Sequence, residues 1–174
     1  MHRYHIVSMV FHWLVAVIMI GLIIAGLIMV DMPKPDKYVI YGWHKAFGII
    51  VLALVVLRLG WRFYQPGPPL PVTMKIGQVV ASKITHFMLY VMMLLMPLAG
   101  WVMSSAGGHP VSVFGVPIPA IVDKDKELNA LAHDIHEYGS WVFIALILLH
   151  IGAALYHHFI QKDGLLWRIW PKKG

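Results

Sequence analysis

YGSWVFIALILLHIGAALYHHFIQ, residues 138–161, contains no Asp, Glu, Lys or Arg, yet it carries three histidines. A bilayer core asks for about 20 predominantly apolar residues of helix, and this run is long enough. Histidine is costly in lipid unless it has a partner, so a spanning helix punctuated by imidazoles implies a use for them. Ile6–Val30 and Ile84–Gly108 are equally free of charge. Trp43–Phe63 is apolar as well, with Lys45 near its start and Arg58 and Arg62 near its end. The four stretches predict an all-α, integral membrane four-helix bundle, a single domain over residues 1–174. Transmembrane helices are expected at about 6–30, 43–63, 84–105 and 136–160.

Composition agrees with that reading. Of the 174 residues 59% are hydrophobic and 13% charged, and the mean hydropathy is +0.72, whereas soluble domains carry about 25% charged residues. Cysteine is absent, which removes disulfides, iron–sulfur clusters, thiolate haem ligation and covalent haem attachment. Eleven histidines are the main surplus. The net charge of +6 would suit nucleic acid in a soluble chain; here the basic residues belong to a membrane face, and no nucleic-acid partner is expected.

The connections are short and rich in proline. DMPKPDKY (31–38) is a turn between the first two helices, and QPGPPLPVT (65–73) cannot continue a helix. Residues 107–123, GGHPVSVFGVPIPAIVD, form a long Gly/Pro-rich loop, after which Asp123 or Asp125 begins a polar lead into the last helix. Pro97 should kink the third helix, which membrane helices tolerate. The first apolar run exceeds the 7–15 residues of a signal peptide, so it is expected to stay as a spanning helix. With the N-terminus inside, nine basic residues (Arg3, Arg58, Arg62, Lys75, Lys83, Lys162, Arg168, Lys172, Lys173) face the cytoplasm, against Lys34, Lys37, Lys45, Lys124 and Lys126 outside. That bias predicts both termini in the cytoplasm. Trp167 and Trp170 in the tail are expected at headgroup depth.

The histidines fall at paired depths. His12 lies near the inner end of the first helix and His44 near the outer end of the second. The fourth helix runs inward and carries His136 early and His150 fourteen residues later, about 21 Å deeper and some 40° apart around the helix. His44 should therefore pair with His136, and His12 with His150. His133 would point about 100° away from His150, and His157 would stretch the two levels to about 31 Å. Each of the four has a small residue one turn on (Ala16, Gly48, Gly139, and Ala153 with Ala154), space that a flat cofactor against a helix would need. Two bis-histidine levels with no Cys and almost no buried carboxylate suit porphyrin iron better than zinc or a proton relay. His86, His157 and His158 lie near the inner interface, as headgroup contacts or helix ends, or else in a quinone or proton-transfer role. His2, His5 and His109 read as surface residues. Arg58 lies at the depth of the inner pair, where it either snorkels or meets a haem propionate.

FHWLVA (11–16), HKAFGIIVLALVVLRLGWR (44–62), ITHFMLYVMMLLMPLAGW (84–101), SVFG (112–115) and IHEYGSWVFIALILLHIGAALYHHFIQKDGLLWRIWP (135–171) resemble the bacterial cytochrome b561 family over nearly the whole chain. The resemblance implies a four-helix inner-membrane cytochrome with two non-covalent b haems, no axial ligand from the third helix, and a link to ubiquinone. The family's ligands fall on His12, His44, His136 and His150. One branch of the family oxidises superoxide at the periplasmic face and reduces ubiquinone, and the similarity of the outer loops and of HHFIQKD (157–163) makes that the leading expectation.

The expected protein is thus a cytochrome that passes electrons from superoxide, or another periplasmic one-electron donor, to ubiquinone. His157, His158 and Trp167 are the candidates for the quinone site. Lys45, directly after His44, departs locally from the family pattern and, with Lys34 and Lys37, is the candidate for attracting an anionic donor. Seven of the eight acidic residues also fall outside, so any attraction has to be local. The alternative is an electron-transfer module fed by a periplasmic dehydrogenase or cytochrome.

Overall fold

A computed structural model describes residues 3–71 and 74–171; His2, Lys172 and Lys173 lie outside the described residues. Four long helices are the frame: α1 (Ile6–Met29), α2 (Asp36–Tyr64), α3 (Ile76–Ala106) and α4 (Lys126–Tyr156). A short hairpin, β1 (Val111–Val113) with β2 (Val116–Ile118), interrupts the α3–α4 connection. A π-helical turn (His157–Gln161) and a 3₁₀ turn (Leu165–Arg168) follow α4. All four long helices are long and apolar enough to cross a membrane.

Three helices begin well before their apolar stretches. α2 starts at Asp36, α3 at Ile76 and α4 at Lys126, where the sequence led us to expect 43, 84 and 136. Hydropathy measures the part inside hydrocarbon, whereas helix continues into water wherever its first N–H groups find acceptors. For α4 the acceptor is Asp125, whose carboxylate takes the N–H groups of Glu127 and Leu128 at 2.9 Å. For α3 the Gln78 side chain accepts the Lys75 N–H at 3.1 Å. His5, expected as a surface residue, caps α1 by accepting the Val7 N–H and packs its ring on Trp61 of α2.

The hairpin in the outer loop was not anticipated. Alternating valines flank Phe114–Gly115, and both turn residues have positive φ, 50° and 87°. A two-residue hairpin turn needs that conformation at both central positions. Gly115 adopts it freely, and Phe114 is held there by ring contacts with Trp43 and Phe47 of α2.

The core is a plug across the middle of the bundle. Val15 and Met19 of α1, Val51 and Val55 of α2, Leu89, Met92, Met93 and Met96 of α3, and Phe143 of α4 pack as one cluster. Large apolar side chains elsewhere, such as Val17, Val56, Phe87 and Leu148, point outward. Such a surface is stable only against lipid.

Replacing Asp125 with Ala removes both acceptor contacts at the start of α4. It should destabilise the protein by about 1 kcal/mol, read as a lower thermal midpoint in detergent with the helical content unchanged.

Candidate functional site

α4 organises the site. His136 and His150 lie on it seven residues either side of Phe143, the residue by which α4 enters the central plug. On the outer side the His136 ring faces His44 of α2, with centroids 6.2 Å apart and planes at 77°. On the inner side His150 faces His12 of α1 at 6.3 Å and 41°. α1 packs along α2, α2 along α3 and α3 along α4, while among the described residues neither α1 nor α2 packs closely along α4. Each histidine pair therefore spans a cleft between helices whose backbones stand apart.

That geometry can be tested against a bis-histidine haem. A metal–imidazole bond is about 2 Å and a ring centroid lies roughly 1.1 Å behind its nitrogen, so imidazoles on opposite faces of one iron have centroids about 6.3 Å apart. Both pairs match. Among the described residues no three His, Cys, Asp or Glu side chains gather as a metal site, so four-coordinate zinc lacks a donor set, whereas two imidazoles are all that such a haem takes from the protein. Among the described residues no hydrogen-bond partner within the ordinary distance and angle reaches the buried Nδ1 of His12 or His44, though the His44 ring lies against the Leu22 main chain. A ring with a sealed, unpaired nitrogen is held there for the sake of its other nitrogen. The four residues thus fit the group.

His136 is the most firmly oriented. Its Nδ1–H donates to the Met96 carbonyl of α3 at 3.0 Å, which leaves Nε2 free to coordinate a metal. Gly100, one turn on from Met96, makes this approach possible: a Cβ there would lie 3.2 Å from His136 Cε1 and 3.4 Å from Nδ1. The sequence did not single out Met96 or Gly100, although a glycine one turn after Met-Pro in an apolar helix was the available signal. Two of the small residues read as cofactor space divide in the structure. Gly48 opens on empty space, but a Cβ on Gly139 would meet the Met96 sulfur at 2.9 Å. Gly139 therefore serves the contact between α3 and α4, not a cofactor.

At the outer end Lys45 does not project freely. Its ammonium donates to Ser104 Oγ at 3.2 Å and to the Pro110 carbonyl at 3.3 Å, fastening α2 to the end of α3 and the loop over the outer pair. Lys37 donates to the Val30 carbonyl and lies over Tyr41, and Lys34 lies over Tyr38. His133 faces away from the pair, flanked by Asp134 and Glu137.

At the inner end Arg58 and Arg62 lie over the Tyr90 ring, 5.4 and 5.9 Å from its centroid. His86 of α3, next to the hydroxyl of Ser82, meets His150 edge on at 5.3 Å; counting depth along α3 would have found it. The tail folds back beneath the bundle. The Trp13 indole donates to the Ile169 carbonyl, Arg3 to that of Trp170, the Tyr4 N–H to that of Arg168, and Arg168 to that of Pro69. Trp167 and Trp170, read as headgroup anchors, thereby join a chain of ring contacts from His158 through Trp167, Trp170 and Trp13 to His12, with steps of 5.4, 6.3, 5.2 and 5.2 Å. His157 does not share those contacts; its Nδ1–H donates to Asp163 at 2.5 Å.

The family model described as prokaryotic cytochrome b561 matches residues 3–172. Cytochrome b561 homolog 2 of Escherichia coli (strain K12) is 34% identical over 99% of this chain and 93% of its own length. Cytochrome b561 homolog 1 of the same organism is 36% identical, over 75% of this chain and 74% of its own. The probable superoxide oxidase CybB of Yersinia pestis is 28% identical over the same shares.

Gly100→Val would drive a branched side chain into the His136 ring and break its bond to Met96. Cofactor affinity at the outer pair should fall about tenfold or more, measured as outer-site absorbance lost during washing while the inner site is retained.

Proposed function

The chain belongs to the prokaryotic cytochrome b561 family, a family of haem-b electron-transfer proteins of the membrane, and from that premise we propose a two-haem relay from a periplasmic one-electron donor to ubiquinone. The observation that carries it is the pair of imidazole separations, 6.2 and 6.3 Å, at two depths of one bundle. His44 and His136 would hold the outer haem, His12 and His150 the inner. When bound, haem b supplies a centre that takes up and releases one electron at a time, its potential tuned by axial ligands and surroundings.

The chain's own residues do the rest. α4 sets the separation of the two levels, about 21 Å along its axis, and the plug around Phe143 keeps the interval between them dry. Arg58, at the inner level, is the proposed partner of a haem propionate, with Tyr90 bracing its guanidinium. His157, His158 and Trp167 are the proposed quinone residues. The ring chain that links His158 and Trp167 to His12 supports this. In this reading both termini are cytoplasmic and the hairpin is periplasmic, following the bias of Lys and Arg.

Superoxide is the proposed donor. Its support is the similarity to the probable superoxide oxidase of Yersinia pestis and Lys45 beside His44. Because two hydrogen bonds fix Lys45, its positive charge is held in place rather than swinging in solvent. A second reading, a partner-fed module, is favoured by the outer extension of α4. There Asp125, Glu127, Asp134 and Glu137 are exposed and would suit a basic redox protein.

Purified protein should carry two non-covalent, low-spin haems per chain by pyridine haemochrome assay; one haem in fully loaded protein refutes the relay. His44→Ala and His136→Ala should lose the same haem, and His12→Ala and His150→Ala the other, as judged by difference spectra.

Superoxide should reduce the haems quickly, and the rate should fall as salt rises. Lys45→Glu should slow it severalfold at low salt without loss of haem, and Lys45→Arg should preserve it. A stopped-flow rate no faster than that of a generic b-type cytochrome gives the donor role to a protein partner.

A further inference from the structure

His86 stands apart from the pairs. α3 supplies most of the central plug, and in the relay above it supplies no axial ligand, yet its one imidazole is placed against His150. The centroid separation is 5.3 Å and the planes meet at 72°. A hydrogen bond of about 2.9 Å between two imidazole nitrogens, in line with both rings, puts the centroids roughly 5.2 Å apart. In this structure the two rings meet edge to face without a hydrogen bond between them. Their spacing is close to that value, so a small turn of either ring would close one, and it is shorter than the spacing of either pair that faces across a cleft.

The four paired histidines also differ in what holds the nitrogen turned away from the cleft. His136 has the Met96 carbonyl. His44 lies against the Leu22 main chain, and His12 Nδ1 is buried with no hydrogen-bond partner among the described residues. Among the described residues no carbonyl or carboxylate hydrogen-bonds to His150; its ring contacts are His12 across the cleft and His86 behind. A coordinating histidine is ordinarily held by an acceptor on its second N–H, which fixes the rotation of the ring and makes it a stronger electron donor to the metal.

We infer that His86 is the positioning residue for His150, buttressing its ring and accepting its non-coordinating N–H through Nε2. Ser82, one turn earlier on α3, sets the tautomer this needs. Its Oγ lies 3.3 Å from His86 Nδ1. A helical serine hydroxyl can give its own hydrogen to the carbonyl four residues back, and then its oxygen accepts the Nδ1–H of His86. The lone pair of His86 is thereby on Nε2, toward His150. The acceptor comes from α3, the helix that packs along α4, so the orientation of His150 is tied to that packing. The outer level uses the same device, with His136 of α4 held by α3 through Met96. On this view α3 is the helix that orients both histidines of α4.

This inference rests on the reading of His12 and His150 as the inner axial pair. The test is a redox titration and low-temperature EPR spectrum of purified, haem-loaded protein carrying His86→Phe, His86→Gln or Ser82→Ala. His86→Phe keeps a flat ring but has no acceptor. It should retain both haems, raise the midpoint potential of the inner haem alone, and move the inner low-spin g-max. His86→Gln, whose amide oxygen can accept the N–H, should return both readouts toward the wild type. Ser82→Ala should shift them in the same direction as His86→Phe by a smaller amount. An unchanged potential and g-max in His86→Phe overturns the inference and leaves the axial pair standing. Loss of the inner haem in His86→Phe with its retention in His150→Ala overturns both, because His86 would then be the ligand.

Discussion

Two imidazole pairs, each spanning a cleft between helices that do not otherwise pack together, are the constraint around which this bundle is arranged. A polar ring in hydrocarbon has to be given a use, and here the rings of each pair face one another across the cleft. α4 contributes one ring to each level, α1 and α2 one each, and the plug around Phe143 separates the levels. The outward apolar surface and the length of the helices follow from the bilayer. The clefts follow from the rings.

α3 holds a different office from the other helices. It packs along both α2 and α4, it brings three methionines into the plug, and its Met96 carbonyl and His86 ring stand behind the two histidines of α4. Methionine suits such a position because its unbranched side chain fills irregular space. Gly100 and Gly139 let the two helices come close where it matters, the first for the His136 ring and the second for the Met96 sulfur.

The two ends of the bundle are closed by unlike means. At one end Lys45 fastens α2 to α3 and to the loop, while the hairpin leans its Phe114 on the aromatic face of α2. At the other end, where the chain starts and finishes, the tail turns back and bonds to residues 3, 4, 13 and 69 largely through main-chain carbonyls. Substitutions in the tail side chains should for that reason matter less to the closure than shortening the tail would, with Trp167 and Trp170 the exceptions because they form the ring chain toward His12.

The linear order of residues determined the helices, the membrane and the depths of the histidines, because hydropathy and a rise of about 1.5 Å per residue are properties of a single helix. His136 and His150 could be placed on one face of α4, and matched in depth to His44 and His12, before any packing was known. The helices start earlier than their apolar spans because capping by Asp125 and Gln78 happens outside the apolar stretches, where hydropathy has nothing to report. Gly139 was read as space for a cofactor because periodicity shows which face a glycine occupies but not which neighbour fills it. The partners of the rings were hidden for the same reason: the Met96 carbonyl against His136, His86 against His150, and Ser104 with Pro110 around Lys45. Each joins residues far apart in the chain, and only the angle and offset at which two helices pack decide whether such groups come within about 3 Å of one another.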